Sequence, residues 1–445
     1  MFLRVITASF LLFFSVSPCL RGGFFDVSTA QAAEPRILSL EQALELADDR
    51  NRDILKAREF FRQVEGKYVE ERSAALPQLT LNAFLSRQQD DSQKALLGGL
   101  FPTRQDSRNA EIDVTQVLYT WGKVGAAIRA AEKGYRTADE RLRTSRQDTR
   151  RDVTTAFYDV LLAREQRAIA LQNLEQKQRH LDETERRYAA GVATDYDVLA
   201  ARVAKENARP ETIRTENQLR SSRDRLRYLL AVEEDVDVAG TLDSAAATLP
   251  SYDEALAVAR KRRPELAELH WQKEIYQELV TIDNAGDKPR LDLKGGYGWR
   301  QLEVGDQHGD GMAWNVGVYL TFPFFDGLKT RGKVAQTESQ RRTLEIDEAR
   351  LSEEISLEIR DALNGVRESH EIVTALGGTV AQAERLLAMA EQGYELGVKI
   401  RLEVEDAELN LLQARGNLAR ARRDYLVARV NLARVMGVLG EGAGT

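Results

Sequence analysis

A glycine at the join of two long helical patterns occurs twice in this chain, and the two joins echo each other. Tyr188, Gly191, Val192, Asp197 and Val198 stand where Tyr394, Gly397, Val398, Glu403 and Val404 stand later, at a constant offset (397 − 191 = 206). Glycine supplies the positive φ that ends one helix and turns the chain back. The chain is therefore two copies of one unit, each with a long helical hairpin bent at such a turn. Tyr252 to Leu256 repeats Leu40 to Leu44, and Pro289-Arg290-Leu291 repeats Pro77-Gln78-Leu79, at a second offset (289 − 77 = 212).

Between these landmarks the hydrophobic period changes in the same order in both units. Ser39 caps a helix with Gln42 three residues on, and Leu40, Ala43, Leu44 and Ala47 form its apolar stripe. That helix is expected to run to about Ala75, and its counterpart from Ser251 to Ala285. From Gln78 the period becomes two. Strands are expected over about 78–88 and 109–119, and over about 290–300 and 312–322, each with one apolar and one polar face. Tyr297, Trp299 and Trp314 gather on the apolar face near the loop ends, where an aromatic girdle would meet lipid headgroups. The tract Glu303 to Gly311 is expected to be an exposed hairpin loop; its ligand spacing is incomplete for calcium.

After Trp121-Gly122-Lys123 the helical period holds to about Ala190, roughly 100 Å at 1.5 Å per residue. Its seam Val153, Phe157, Val160, Leu171, Leu174, Leu181, Tyr188 steps by threes and fours in the manner of a coiled coil. The return helix runs from Tyr196 to about Val232, with Pro210 expected to disturb it. A second long helix begins at Gly327, reverses at Gly397, and its return helix ends near Met436-Gly437.

With 30% charged residues and only 9 prolines, the composition suits long solvated helices rather than one large closed core. A net charge of −7 leaves no nucleic-acid footprint. His180, His270, His308 and His370 are scattered without ligand spacing, and neither a phosphate loop nor a nucleophile elbow appears, so the chain reads as no enzyme and needs no cofactor or metal.

Residues 1–33 read as an export signal, with Arg4 as the positive flank, an apolar run from Val5 to Val16, and Ala30-Gln31-Ala32 as the cleavage site. The only cysteine, Cys19, falls inside it, so the mature chain carries no thiol chemistry. No run of about 20 apolar residues follows, so only a closed barrel of strands could cross a membrane. The first repeat is assigned to 34–245 with its tip at 190–195, and the second to 246–445 with its tip at 396–401.

The order of these elements, with the words Leu38-Ser39-Leu40-Glu41-Gln42-Ala43-Leu44, Leu76-Pro77-Gln78-Leu79 and Phe322-Pro323-Phe324-Phe325-Asp326-Gly327, resembles the TolC family of outer-membrane efflux channels across essentially the whole mature chain. The resemblance implies a mainly α fold with membrane β: a homotrimer whose four strands per chain close one twelve-stranded barrel, continued by a long periplasmic coiled-coil α-barrel. It implies an exit duct in the outer membrane of a Gram-negative bacterium, serving efflux or type I secretion, and opened by a periplasmic adaptor and an inner-membrane RND or ABC transporter.

By position in that family, Tyr394 would pair with Asp197, and Lys399 would contact Tyr196 or the neighbouring chain. Glu403 and Asp406 would form an acidic ring at the entrance, favouring cations and titrating high through mutual repulsion. Family members usually carry arginine where this chain has Lys399, which weakens any bidentate lock. Gly191, Val192, Ala193 and Thr194, with Gly397, Val398 and Ile400, would meet the adaptor. The competing expectation is a soluble or peripheral coiled-coil protein of the envelope, which accounts for the heptads but not for four half-apolar strands.

Overall fold

The computed structural model describes residues 35–92, 104–243, 245, 248–304 and 307–440. The export segment and Cys19 lie outside the described residues. In chain order the elements are β1 (Arg36–Leu38), α1 (Leu40–Arg50), α2 (Arg52–Ser73), β2 (Gln78–Gln89), β3 (Arg104–Tyr119), α3 (Lys123–Ala189), α4 (Asp195–Leu230) and β4 (Val236–Val238). The second unit follows with α5 (Tyr252–Arg262), α6 (Pro264–Asn284), β5 (Arg290–Val304), β6 (Gln307–Thr321), α7 (Lys329–Glu395) and α8 (Arg401–Val435). Long helices α3 and α7 each have 67 residues, about 100 Å of rod.

The helix expected from Ser39 to Ala75 is two helices. Asn51 adopts an extended backbone between them, and its Oδ1 accepts from the Asp53 N–H at 2.9 Å, capping α2. Its Nδ2 donates to the Leu229 carbonyl at 2.8 Å, so the break is tied to the return helix. The counterpart expected from Ser251 to Ala285 breaks at Arg263, because Pro264 excludes the α conformation from the residue before it and then serves as the first residue of α6. The two breaks share the second repeat offset (263 − 51 = 212). Helix α4, by contrast, continues unbroken through Pro210. Pro210 and Glu206 are both exposed, so water can satisfy the carbonyl that the ring leaves without a donor.

Strands β2-β3-β5-β6 form one antiparallel sheet in that order, with the β3–β5 pairing joining the two repeats. They run longer than expected. Of the tract expected as a loop, Glu303–Val304 and Gln307–Gly311 are strand, with Gln301 opposite Asp310 and Glu303 opposite His308, and residues 305–306 lie outside the described residues. Edges β2 and β6 have no partner among the described residues.

The core lies in the middle of the helical rods, where α1 and α5 pack on the long helices. Ala43 and Ala47 meet Val153, Phe157 and Val160 in one cluster, and Ala255 and Ala259 meet Ile359, Leu363 and Val366 in its duplicate. Small residues on the short helices let the rods approach closely, and each buried isoleucine, leucine or phenylalanine contributes roughly 1.5–3 kcal/mol. Parallel strands β1 and β4 seal the first cluster. Of the expected seam, Leu171 is 41% and Tyr188 49% exposed, so a single chain does not cover it.

Candidate functional site

Period-two alternation sorts the sheet into two chemistries. One face carries Leu79, Leu81, Ile112, Val114, Trp314, Val316, Val318 and Leu320, all exposed at 36% or more. The other is polar and internally paired. Asp113 accepts from Asn82 Nδ2 at 2.6 Å, and Glu111 accepts from Arg300 at 3.1 Å and Asn315 at 3.3 Å. Lys294 Nζ stands 5.2 Å from the Tyr319 ring centre. Charged groups that satisfy one another while facing water are what a channel lining needs, and an exposed apolar face is what lipid needs.

The aromatic girdle differs from its expected place. Tyr297 pairs with Trp314 in the middle of the β5–β6 hairpin, because both strands continue well past them. A second aromatic group, not anticipated from the sequence, sits where the strands meet the helices. Tyr119 and Trp121 pack at 5.4 Å, and Phe322 and Phe324 at 6.4 Å. Phe324 and Phe325 are 89% and 79% exposed. Their signal was present, since aromatics precede the glycine in both repeat-related words, Tyr119-Thr120-Trp121-Gly122 and Phe324-Phe325-Asp326-Gly327. Tyr119 pairs with Leu291, and Trp299 lies eight residues farther along β5. That is about 27 Å of strand, or roughly 20 Å of height at a barrel tilt of about 40°, most of an outer-membrane apolar band about 25 Å tall.

At the far end of the rods the two tips share one construction. Gly191 has φ +73° and Gly397 +72°. The Val192 N–H donates to the Arg187 carbonyl at 2.9 Å and Gly191 to Tyr188 at 2.9 Å; Val398 donates to Gly393 at 2.8 Å and Gly397 to Tyr394 at 3.0 Å. Both are Schellman closures. The next helices differ at their caps. Thr194 and Asp197 complete a reciprocal capping box around α4. Ile400 has no side-chain acceptor, so Glu403 alone caps α8, accepting from the Ile400 N–H at 3.1 Å. Val192 and Val398 are each 78% and Ile400 63% exposed, with Ala193 and Thr194 between the helices of the first tip.

The expected Tyr394–Asp197 pair is not formed within one chain. Asp197 is held by Thr194, whose backbone N–H donates at 2.8 Å and holds its carboxyl below the usual range. The Tyr394 hydroxyl instead accepts from Arg187 at 3.3 Å, and its ring lies 5.7 Å from the Arg187 and 5.9 Å from the Arg401 guanidinium. Lys399 Nζ lies 2.8 Å from Glu403 Oε1. Tyr196 is 78% exposed, and among the described residues no hydrogen bond or cation–ring contact joins it to Lys399. Glu403 and Asp406 do share the exposed face of α8. Within the chain, the hydrogen bond from Lys399, helped by the Ile400 N–H, lowers the Glu403 carboxyl, opposite in sign to the repulsion expected of a ring. Sequence reasoning missed a neighbouring cluster. Glu408 receives Lys177 at 2.6 Å and Gln176 at 2.7 Å, and Arg401 bonds Glu405 at 3.2 Å, tying α3 of the first hairpin to α8 of the second.

A lipid-facing sheet above helical rods of this length narrows the choice of family, and the profile of one, described as Outer membrane efflux protein, matches residues 43–232 and 255–438. The chain belongs to that family. This outer membrane efflux protein is 25% identical to Outer membrane protein TolC of Vibrio cholerae over 83% of this chain and 84% of that protein. It is 28% identical to Cobalt-zinc-cadmium resistance protein CzcC of Cupriavidus metallidurans over 92% of this chain and 91% of that one. The solved outer-membrane channel OprN matches its fold with a TM-score of 0.76 at 20% identity, over 95% of this chain and 98% of that one. This efflux protein is thus an outer-membrane channel, with the family and fold of channels rather than of enzymes. The rival reading, a soluble coiled coil of the envelope, is set aside by that membership.

Proposed function

We propose that this channel is a homotrimeric exit duct, in which three four-stranded sheets close one twelve-stranded barrel and the hairpins extend it as a tunnel of roughly 100 Å through the periplasm. The observation that carries the reading is a sheet with an apolar outer face and two open edges, β2 and β6. In lipid every unpaired N–H or C=O at those edges would cost roughly 2–7 kcal/mol. Pairing β2 of one copy with β6 of the next removes that cost all round. Residues 1–33 serve as the export signal, and 34–245 and 246–445 are the two repeats.

The tips, Gly191 to Thr194 and Gly397 to Ile400, are the docking surface for a periplasmic adaptor, through which an inner-membrane RND or ABC pump opens the passive duct. Tyr196, Asp197, Tyr394, Lys399, Glu403 and Asp406 lie on or beside the tips, where threefold symmetry would gather the Glu403 and Asp406 carboxylates around one axis as a cation-favouring entrance. Reconstitution of the purified protein into planar bilayers, with the oligomer mass taken in the same detergent, tests the reading. Discrete small openings from a trimer support it. A monodisperse monomer that never inserts ends it.

A further inference from the structure

Where the barrel meets the rods, a groove of about 820 Å³ opens beneath the sheet, with α3 as its floor and α2 and α6 as its walls. The floor is made of small residues, Ala127, Ala131 and Gly134, and the walls of Val64, Leu279 and Ile282. Its strand-end residues, Gln78, Thr115, Val117, Arg290 and Thr321, all belong to the polar face of the sheet by register, since Gln78 pairs with Thr115, Val117 with Asp292 and Arg290 with Thr321. That is the face of Glu111, Asp113 and Arg300, so the groove opens toward the lumen and not toward lipid. The opposite side of the same α3–α6 contact is charged and closed, with Arg129 on Glu278 at 2.7 Å and Lys133 on Glu274 at 3.0 Å. An apolar hollow inside a polar duct is the reverse of what solubility requires.

Its rim is basic. Lys67, Lys123, Lys288 and Arg290 line it, against one acid, Glu71. Lys67 is paired with Glu70 and Glu71, Lys288 with Asp287 and Arg290 with Asp292. Lys123 is exposed and has no ionic partner among the described residues. We propose that this groove is a transit site for amphipathic anions: the apolar body lies along α3 between α2 and α6, and the anionic end meets Lys123, with Lys288 beside it. The proposal rests on the duct reading, since only cargo inside the lumen reaches the groove. Three such grooves around the axis would hold cargo at the step from tunnel to barrel, where the lining changes from helix to sheet.

The test uses 8-anilinonaphthalene-1-sulfonate, an anionic amphiphile that fluoresces in apolar surroundings, titrated into the full-length trimer in lipid nanodiscs against empty nanodiscs. The expected result is saturable binding, one molecule per chain, that Ala131→Phe abolishes by filling the floor. Lys123→Ala should weaken it about threefold, the size of an exposed charge interaction, and Lys123→Arg should restore it. A cationic styryl dye of similar size should not saturate. Binding that Ala131→Phe and Lys123→Ala leave unchanged, or that empty nanodiscs reproduce, overturns the groove. Conductance of the same variants in planar bilayers separates the two readings: normal openings with no groove-dependent binding defeat only this inference, whereas absent openings in the unmodified protein defeat the duct.

Discussion

Lys177 on α3 and Glu408 on α8, 231 positions apart, meet at 2.6 Å with side chains only 16% and 7% exposed. One belongs to the first repeat and the other to the second, so the pair clamps the two hairpins together a few turns from their tips. Glu408→Leu alone leaves the Lys177 charge sheltered and unpaired, which should cost about 3–5 kcal/mol. Adding Lys177→Met should recover most of that, because two apolar groups of similar volume need no partner. Chemical denaturation followed by helical circular dichroism checks this. Equal losses in the single and double variants would show that the pair contributes nothing beyond packing.

The tip glycines should behave alike in both repeats. At φ +73° and +72°, Gly191 and Gly397 sit where a Cβ meets no neighbour, so any effect of alanine there is backbone strain alone. Each of Gly191→Ala and Gly397→Ala should destabilise by about 1–2 kcal/mol, and asparagine at either site by less. Gly416, inside α8 and also without neighbours for a Cβ, supplies the opposite sign: Gly416→Ala should stabilise by up to about 1 kcal/mol. Melting temperatures of the five variants decide the matter.

The duplication and the four strands were legible because a period of two and a period of 3.6 cannot be confused over ten residues, and because tyrosine, glycine and valine recur at matching positions of the two tips. The outer halves of the strands were not. From Arg104 to Ser107 and from Gln307 to Gly311 both faces are polar or glycine, so the alternation vanishes while the backbone pairing continues. The break at Asn51 escaped notice because the apolar period runs straight through it. Pro264, at the equivalent point of the second repeat, held the signal. At the tip, Gly191 and Gly397 were readable as turns from their local pattern. The pairs Lys177–Glu408 and Arg187–Tyr394 were not, because each joins residues more than 200 positions apart, and no local rule selects one lysine or arginine among many.

Acid should loosen the middle of the molecule through Glu265. Burial pushes its carboxyl up, but Arg263 and Arg434 outweigh that, so the net direction is below the usual value. Arg434 reaches Glu265 at 2.6 Å and Asp148 at 2.7 Å, joining α8, α6 and α3. A carboxyl lowered in the folded state stabilises fully above its unfolded pKa, about 4.3, and loses that contribution as pH falls through the folded value. Stability should therefore drop below about pH 4. In Arg434→Met burial acts with less opposition and the folded value rises toward the unfolded one, so the loss on acidification should be smaller and complete at a higher pH, with its onset unchanged. Denaturation midpoints from pH 3 to 7 distinguish these courses.

At the entrance carboxylates two opposing influences are separated by one lysine. If Glu403 and Asp406 surround the axis, Glu403→Gln with Asp406→Asn should lower the cation-to-anion permeability ratio several-fold while leaving the fold intact, because both residues are exposed. The pH course then depends on Lys399. The hydrogen bond from Lys399, 2.8 Å away, comes first in lowering the Glu403 carboxyl, followed by that from the Ile400 N–H. Glu403 should therefore take up its proton at a lower pH than a free glutamate, and cation selectivity should extend correspondingly further into acid. Lys399→Met removes the larger lowering influence and leaves only the Ile400 N–H against repulsion between neighbouring carboxylates, so selectivity should be lost at a higher pH than in the unmodified channel. Reversal potentials in a salt gradient between pH 3 and 7 read this directly. Coincident profiles would mean that Lys399 does not set the charge of the entrance, and an unchanged ratio in the Gln/Asn variant would mean that these carboxylates do not line it.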